Sequence, residues 1–190
     1  MKKTLSKISV LLLFSVTFCG CEDVEGLINM LNCKFEVQDV ENFTFAGIRF
    51  DQLNSPNDIS ETDMAIINEA INEENAVIKF TLNIVGTNPN DVTASVEKLQ
   101  WKVAVDSLDI AEGIVTDRFT IPAQNSDTLS LLVNTNITDI YKENVVEHVF
   151  NLYQDIANGR TSVVTIKIKP TINKTEFPDY ITLQYLTNGE

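Results

Sequence analysis

Histidine and cysteine are nearly missing from this 190-residue chain, which has one histidine, His148, and three cysteines, Cys19, Cys21 and Cys33. That scarcity removes whole classes of chemistry. A tetrahedral zinc site draws three or four ligands largely from these residue types. A Ser-His-Asp or Cys-His site would have to use His148, which sits in an apolar-striped segment beside Val145, Val149 and Leu152. Glycine is scarce too, and no Gly-x-x-x-x-Gly-Lys phosphate loop occurs. Cationic residues are few: 14 Lys and Arg stand against 27 Asp and Glu, a net charge of −13. A surface this acidic repels nucleic acid and anionic headgroups. The carboxylates could in principle supply a glycosidase-like pair, but no spacing gathers two of them into a pocket, and Glu73, Glu74, Asp106 and Asp109 read as solvated loop charges. The expectation is a protein that is not an enzyme, with no catalytic residue, metal site, cofactor or nucleic-acid partner.

Long hydrophobic runs are lacking as well. The longest uncharged apolar stretch, Ile8–Phe18, has eleven residues, short of the roughly 20 that a spanning helix needs. Preceded by Lys2, Lys3 and Lys7, it fits a secretory signal. It ends in Phe18-Cys19-Gly20-Cys21, which resembles the lipobox of bacterial lipoproteins. Gly20 and Cys21 hold the places of the small residue and the lipid acceptor. Phe18 and Cys19 stand where leucine and alanine or serine are commoner. The resemblance implies cleavage before Cys21 and lipidation of that cysteine. One acyl chain anchors a protein only marginally, whereas two or more hold it stably. Glu22 and Asp23 resemble the surface-export signal of Bacteroidota lipoproteins, and they read equally well as a solvated tether.

The expected organisation is a signal peptide over 1–20, a lipidated tether over 21–31 and one domain over 32–188. Without the first twenty residues, Lys and Arg fall to 11 and the net charge becomes −16. Attachment to the membrane is therefore expected through the lipid and not through a basic face. The expected location is the cell envelope, at the outer membrane, on its periplasmic face or at the cell surface. Cys33 would be left as the single unmodified cysteine, so no intrachain disulfide is expected; it reads as a small buried apolar residue.

Period-two alternation dominates the domain and marks half-buried strands. Ile78, Phe80, Leu82 and Ile84 alternate with polar residues, as do Leu99, Trp101, Val103 and Val105. Further strands are expected around Phe35–Val37, Phe43–Phe50, Val115–Ile121, Leu129–Ile137, Val164–Ile168 and Ile181–Tyr185. The parity flip at Ala46-Gly47 predicts a bulge. Asn88-Pro89-Asn90, Pro122 and Pro170 punctuate strand ends. Two segments carry helical periodicity instead. Residues 60–74 open on Ser60 and Asp63 at capping-box spacing. Residues 139–157 stripe Val145, Val149, Leu152 and Ile156, with Gly159 as the expected C-cap. Strands at this spacing favour an antiparallel sandwich with the two helices over one end or face.

The ordered set Thr87-Asn88-Pro89-Asn90, Leu99–Asp106, Gly113-Ile114-Val115, Phe119–Ala123 and Ser126–Val133 resembles the late-embryogenesis-abundant type 2 family, also called the water-stress and hypersensitive-response domain. The resemblance covers roughly residues 33–187 and is best defined over 76–135. It implies an immunoglobulin- or fibronectin-like β-sandwich of about eight strands, here with helices added at about 60–74 and 139–157. It implies no enzyme activity, and it links the protein to stress tolerance. The insert over 51–75 departs from the short plant-type domain and resembles versions in Bacteroidota lipoproteins.

Asn88, Pro89 and Asn90 read as a structural turn, since proline fixes φ and asparagine amides bond nearby backbone. Asp106-Ser107-Leu108 and Asp127-Thr128-Leu129 resemble O-glycan acceptor tripeptides of Bacteroidota exported proteins, which would make Ser107 and Thr128 the acceptors; the plainer reading is a turn residue and a strand start. Two functions are thus expected from the sequence. One is a membrane-anchored, non-enzymatic envelope lipoprotein, stress-protective or binding. The other is an interaction module docking a protein or glycan partner.

Overall fold

The computed structural model describes residues 28–105, 108–141, 143–158, 165–172, 175–176 and 179–183. Cys21, Glu22, Asp23, Ser107, Gly159 and Tyr185 therefore lie outside the described residues.

The chain builds two antiparallel sheets and a small ribbon. The first sheet orders its strands β2 (Ile48–Arg49), β1 (Lys34–Phe45), β3 (Val77–Thr87), β8 (Ser126–Asn136). The second orders β10 (Thr175–Glu176), β9 (Thr165–Ile172), β5 (Lys98–Val105), β6 (Leu108–Val115), with β11 (Ile181–Leu183) also on β9. β4 (Ala94–Val96) and β7 (Phe119–Ile121) form the ribbon. The mainly antiparallel β architecture read from the sequence is the one observed. Eleven strands are described where about eight were expected, because two- and three-residue strands such as β2, β4 and β10 are too short to show alternation. The strand expected to run from Val115 to Ile121 is two strands. β6 ends at Val115 and, after the bend at Asp117, β7 pairs with β4 and not with β5.

Inward residues of both sheets share one core. Phe43, Phe80, Leu82 and Leu131 from the first sheet are buried with Leu99, Trp101, Val103 and Ile168 from the second. Burying each such side chain stabilises the fold by about 1.5–3 kcal/mol. Phe43 stacks on Phe80 at 5.0 Å and meets Tyr153 at 5.3 Å. Trp101 faces Gly113 across the β5–β6 pair. A Cβ at Gly113 would collide with the indole, so the glycine is there to let the ring lie flat over the strand. Between the sheets remains an apolar cavity of about 20 Å³ lined by Met30, Ile84 and Trp101 among others. It is methyl-sized and has no polar partner for a water.

Several expectations change in detail. The Ala46-Gly47 parity flip is a hairpin and not a bulge: Phe45 pairs with Ile48, and both intervening residues have positive φ, 49° and 83°. That is the primed turn that matches strand twist. The bulges fall earlier in β1, between Val37 and Asp39 and between Glu41 and Thr44, with Asn42 at φ 55°. Two one-residue insertions restore the parity, so Phe35 and Phe43 still face the core.

Pro170 lies inside β9 and not at a strand end. It falls between Thr171–Ile172, which pair with β10, and Ile166–Ile168, which pair with β11. A residue without an N–H is tolerated at such a break.

α1 (Glu61–Asn72) starts as expected, with the Ser60 hydroxyl accepting the Asp63 N–H at 3.1 Å. Its Ile67 is fully buried. α2 (Val145–Ala157) begins six residues later than expected. Residues 136–141 form a separate turn in which the Asn136 carboxamide oxygen accepts the Thr138 N–H and hydroxyl, and Asn144 enters the helix at φ 50°. α2 packs on β1 and on the 3-10 turns Phe50–Gln52 and Pro56–Asp58. The folded body also takes in residues 28–31, expected as tether, where a helical turn seats Met30 at 2 % exposure. Among the described residues no helix is long and apolar enough to cross a membrane.

Candidate functional site

The Asn-Pro-Asn corner joins the end of β3 to the β7–β8 connection. Asn88 is 1 % exposed. Its amide nitrogen donates toward the carbonyls of Val92 at 2.9 Å, Ile121 at 3.0 Å and Pro122 at 3.1 Å. Its carboxamide oxygen accepts from the backbone and side chain of Asn90. Asn90 also donates to the Asn29 carbonyl, and Gln124 donates to the Pro89 carbonyl at 2.7 Å. The corner thus holds three segments together, and the Asn88 amide hydrogens are consumed internally.

The outer faces of the two sheets differ in charge. On the second sheet, Lys102 bridges to Glu112 at 2.9 Å, and Lys167 to Asp109 at 2.7 Å. The Glu112 hydrogen bond, with its charge, holds the Lys102 ammonium above its ordinary range. Asp109 is therefore a paired residue within β6 and not a loose loop charge.

On the first sheet the outward residues of β3 are Val77, Lys79, Thr81, Asn83, Val85 and Thr87, facing Asn136, Asn134, Leu132, Ser130, Thr128 and Ser126 of β8. No carboxylate stands on this pair of strands' outer face, in a chain of net charge −13. Hydroxyls and amides tie it laterally: Ser130 donates to the Asn83 carboxamide, which donates onward to Asp39 of β1.

At one end of this face lies an open cleft of about 420 Å³, lined by Thr44, Ala70, Asn75, Lys79 and Asn134 among others. Cross-strand register sets the row Thr44–Lys79–Asn134, and the C-terminal end of α1 supplies Ala70 and leads to Asn75. The Lys79 ammonium and the Asn75 and Asn134 side chains make no hydrogen bond or ion pair among the described residues. The cleft can therefore offer one positive charge and two carboxamides to a ligand rich in oxygen acceptors. Attention to inward residues alone missed it; the other parity of β3 and β8 carries its signal.

Thr128 is exposed on β8, and the Asp127 carboxylate accepts its backbone N–H at 2.8 Å. His148 is exposed, its ring stacked on Tyr141 at 4.8 Å. Cys33 is half-buried, with its thiol donating to the Asn29 carbonyl at 3.3 Å, and burial pushes it up to about 11. These three residues do not converge, and no cluster of three or more metal-ligating side chains occurs among the described residues.

Antiparallel sheets around one core, closed by helices and fastened at an asparagine corner, define a β-sandwich-like protein. Residues 86–177 match the family model described as "Late embryogenesis abundant protein". The match covers 92 of the chain's 190 residues, and that stretch is similar to the late-embryogenesis-abundant family. Among solved structures, a protein from Archaeoglobus fulgidus is 16 % identical, with 56 % of this chain and 80 % of that one covered and a TM-score of 0.33. A solution structure from Arabidopsis thaliana is 19 % identical over 55 % of this chain and 66 % of that one, with a TM-score of 0.29. A third solution structure, of a candidate late embryogenesis abundant (LEA) protein, is 10 % identical over 70 % and 85 % at 0.29. No curated protein matches the chain by sequence.

Proposed function

We propose that this chain is a non-enzymatic envelope lipoprotein of the stress-associated class, anchored through lipid on Cys21, that works by presenting the outer face of β3 and β8, which carries Lys79 and no carboxylate, to other molecules. The observation that carries the reading is the family match over residues 86–177. The signal-like N-terminus ending at Gly20-Cys21 supports the outer membrane as the place of action in this reading. Hydroxyl and amide groups on β3 and β8, whose outward residues include no carboxylate, suit transient contact with polar surfaces. Two results together support this reading: release of a Cys21→Ala variant in soluble form, and loss of survival after drying in a deletion strain. A deletion strain that dries and recovers like its parent removes the stress role.

The alternative, docking of a specific protein or glycan in an envelope complex, is favoured by the cleft beside Lys79. It requires that capture of one defined partner be lost in Lys79→Glu, a change on an exposed side chain. Equal capture by the two forms counts against it.

A further inference from the structure

Sheet edges are a hazard that natural proteins blunt with shortness, charge, proline or bulges. Most edges described here are blunted. β2, β10 and β11 are two or three residues long. β1, covered by β2 only at Thr44 and Phe45, carries Lys34, Glu36, Asp39 and Glu41 together with two bulges. β6 carries Asp109 and Glu112 in ion pairs.

β8 is the exception. It runs eleven residues in unbroken register on β3, with no proline, no lysine and Asp127 as its one charged residue. Leu132, at its centre, is 68 % exposed on the outer face.

Hydrogen bonding shows which of its groups are open. The N–H groups of Ser126 and Thr128 are taken by the side chains of Asn125 and Asp127. The Ile137 N–H turns the other way, to the Ala76 carbonyl. Backbone groups alternate along a strand, so even-numbered residues point away from β3. The N–H and C=O of Ser130, Leu132 and Asn134 have no backbone partner among the described residues.

We propose that this edge pairs with the same edge of a second copy of the chain, antiparallel about a two-fold axis at Leu132, joining two four-stranded sheets into one of eight. In that register Leu132 faces its own copy and Ser130 faces Asn134. About six backbone hydrogen bonds form from groups now open. The exposed leucines cover each other on the outer face. Asp127 falls opposite Ile137, and the two Asp127 carboxylates lie about 33 Å apart. That is several times the Debye length of about 8 Å at physiological salt. An acidic chain repels its copy almost anywhere, and β8 is the long edge on which the copy brings no carboxylate against a carboxylate. The surface is self-complementary, as a two-fold contact requires. The remaining net repulsion predicts that the dimer strengthens as salt rises.

The test uses the full chain in excess mild detergent, with sedimentation equilibrium for mass and hydrogen exchange for the amides of 130–134. The wild type is expected to form a dimer whose population grows with concentration and salt, with those amides protected in step. Leu132→Lys sets two ammonium groups against each other, and the dimer dissociation constant is expected to rise about tenfold or more. Its thermal midpoint should stay unchanged, since the side chain is exposed. Ile114→Lys, at an exposed apolar residue of β6, should leave the dimer intact. A wild type that stays monomeric at every concentration overturns the proposal. So does a dimer that survives Leu132→Lys, or one lost equally in Ile114→Lys.

Discussion

Asn88 shows how much one buried polar side chain can decide. Removing its carboxamide strands three carbonyls at the corner, each buried acceptor being worth about 1–3 kcal/mol when left unmade. Asn88→Ala should therefore lower the unfolding free energy in urea by about 2–4 kcal/mol. Asn88→Asp should cost more despite its identical shape, because it turns a donor into a charge facing carbonyl oxygens. Cys33 gives a second prediction at this scale. With its thiol raised to about 11 from 9.0 by burial, its alkylation at pH 8 should be about 100-fold slower than in the urea-unfolded chain. Chains carrying Cys19→Ala and Cys21→Ala isolate the signal. The sign for stability follows: the unfolded thiol loses its proton first, so the contribution is full below 9.0 and lost as pH rises through about 11. The asparagine corner and the lone thiol could both be read as structural from sequence. The partners of Asn88 could not, because Val92, Ile121 and Pro122 reach it only once β7 has folded back.

At the scale of elements, the β1–β2 hairpin turns on a residue unsuited to its conformation. Ala46 sits at φ 49°, a region that costs an alanine about 1–2 kcal/mol and an asparagine less. Ala46→Asn makes the favoured Asn-Gly pair and should stabilise the protein by about 0.5–1 kcal/mol, read as a higher thermal midpoint. The long strands and α1 were legible because alternation and the Ser60 cap are local signals. What was not legible depends on partners. A parity flip looks the same for a hairpin and a bulge, and the paired bulges of β1 cancel in the pattern. The first residues of the expected second helix went instead to the turn that Asn136 closes, because an asparagine side chain competes with helix for backbone N–H groups. The open edge of β8 lay hidden for the same reason, since a strand's sequence does not say which neighbour it lacks.

At the scale of the whole molecule, the proposed protein has two halves, a folded domain and a lipid anchor on Cys21. With so acidic a surface, attachment is expected through the lipid, while the outward residues of β3 and β8 carry no carboxylate. Both halves meet at the N-terminus, where Met30 already belongs to the core and about eight residues separate it from Cys21, a tether spanning at most about 30 Å. The domain would then stand close to the membrane, with copies concentrated on one surface, the setting in which a weak edge-to-edge contact gains most. The most direct measurement is intact-mass and N-terminal peptide mass spectrometry of the full chain recovered from bacterial membranes. The predicted result is a mature chain beginning at Cys21 and carrying acyl chains on that residue, lost in Cys21→Ala together with membrane association. A chain beginning elsewhere, or an unmodified Cys21 in protein that still sediments with membranes, would contradict the account.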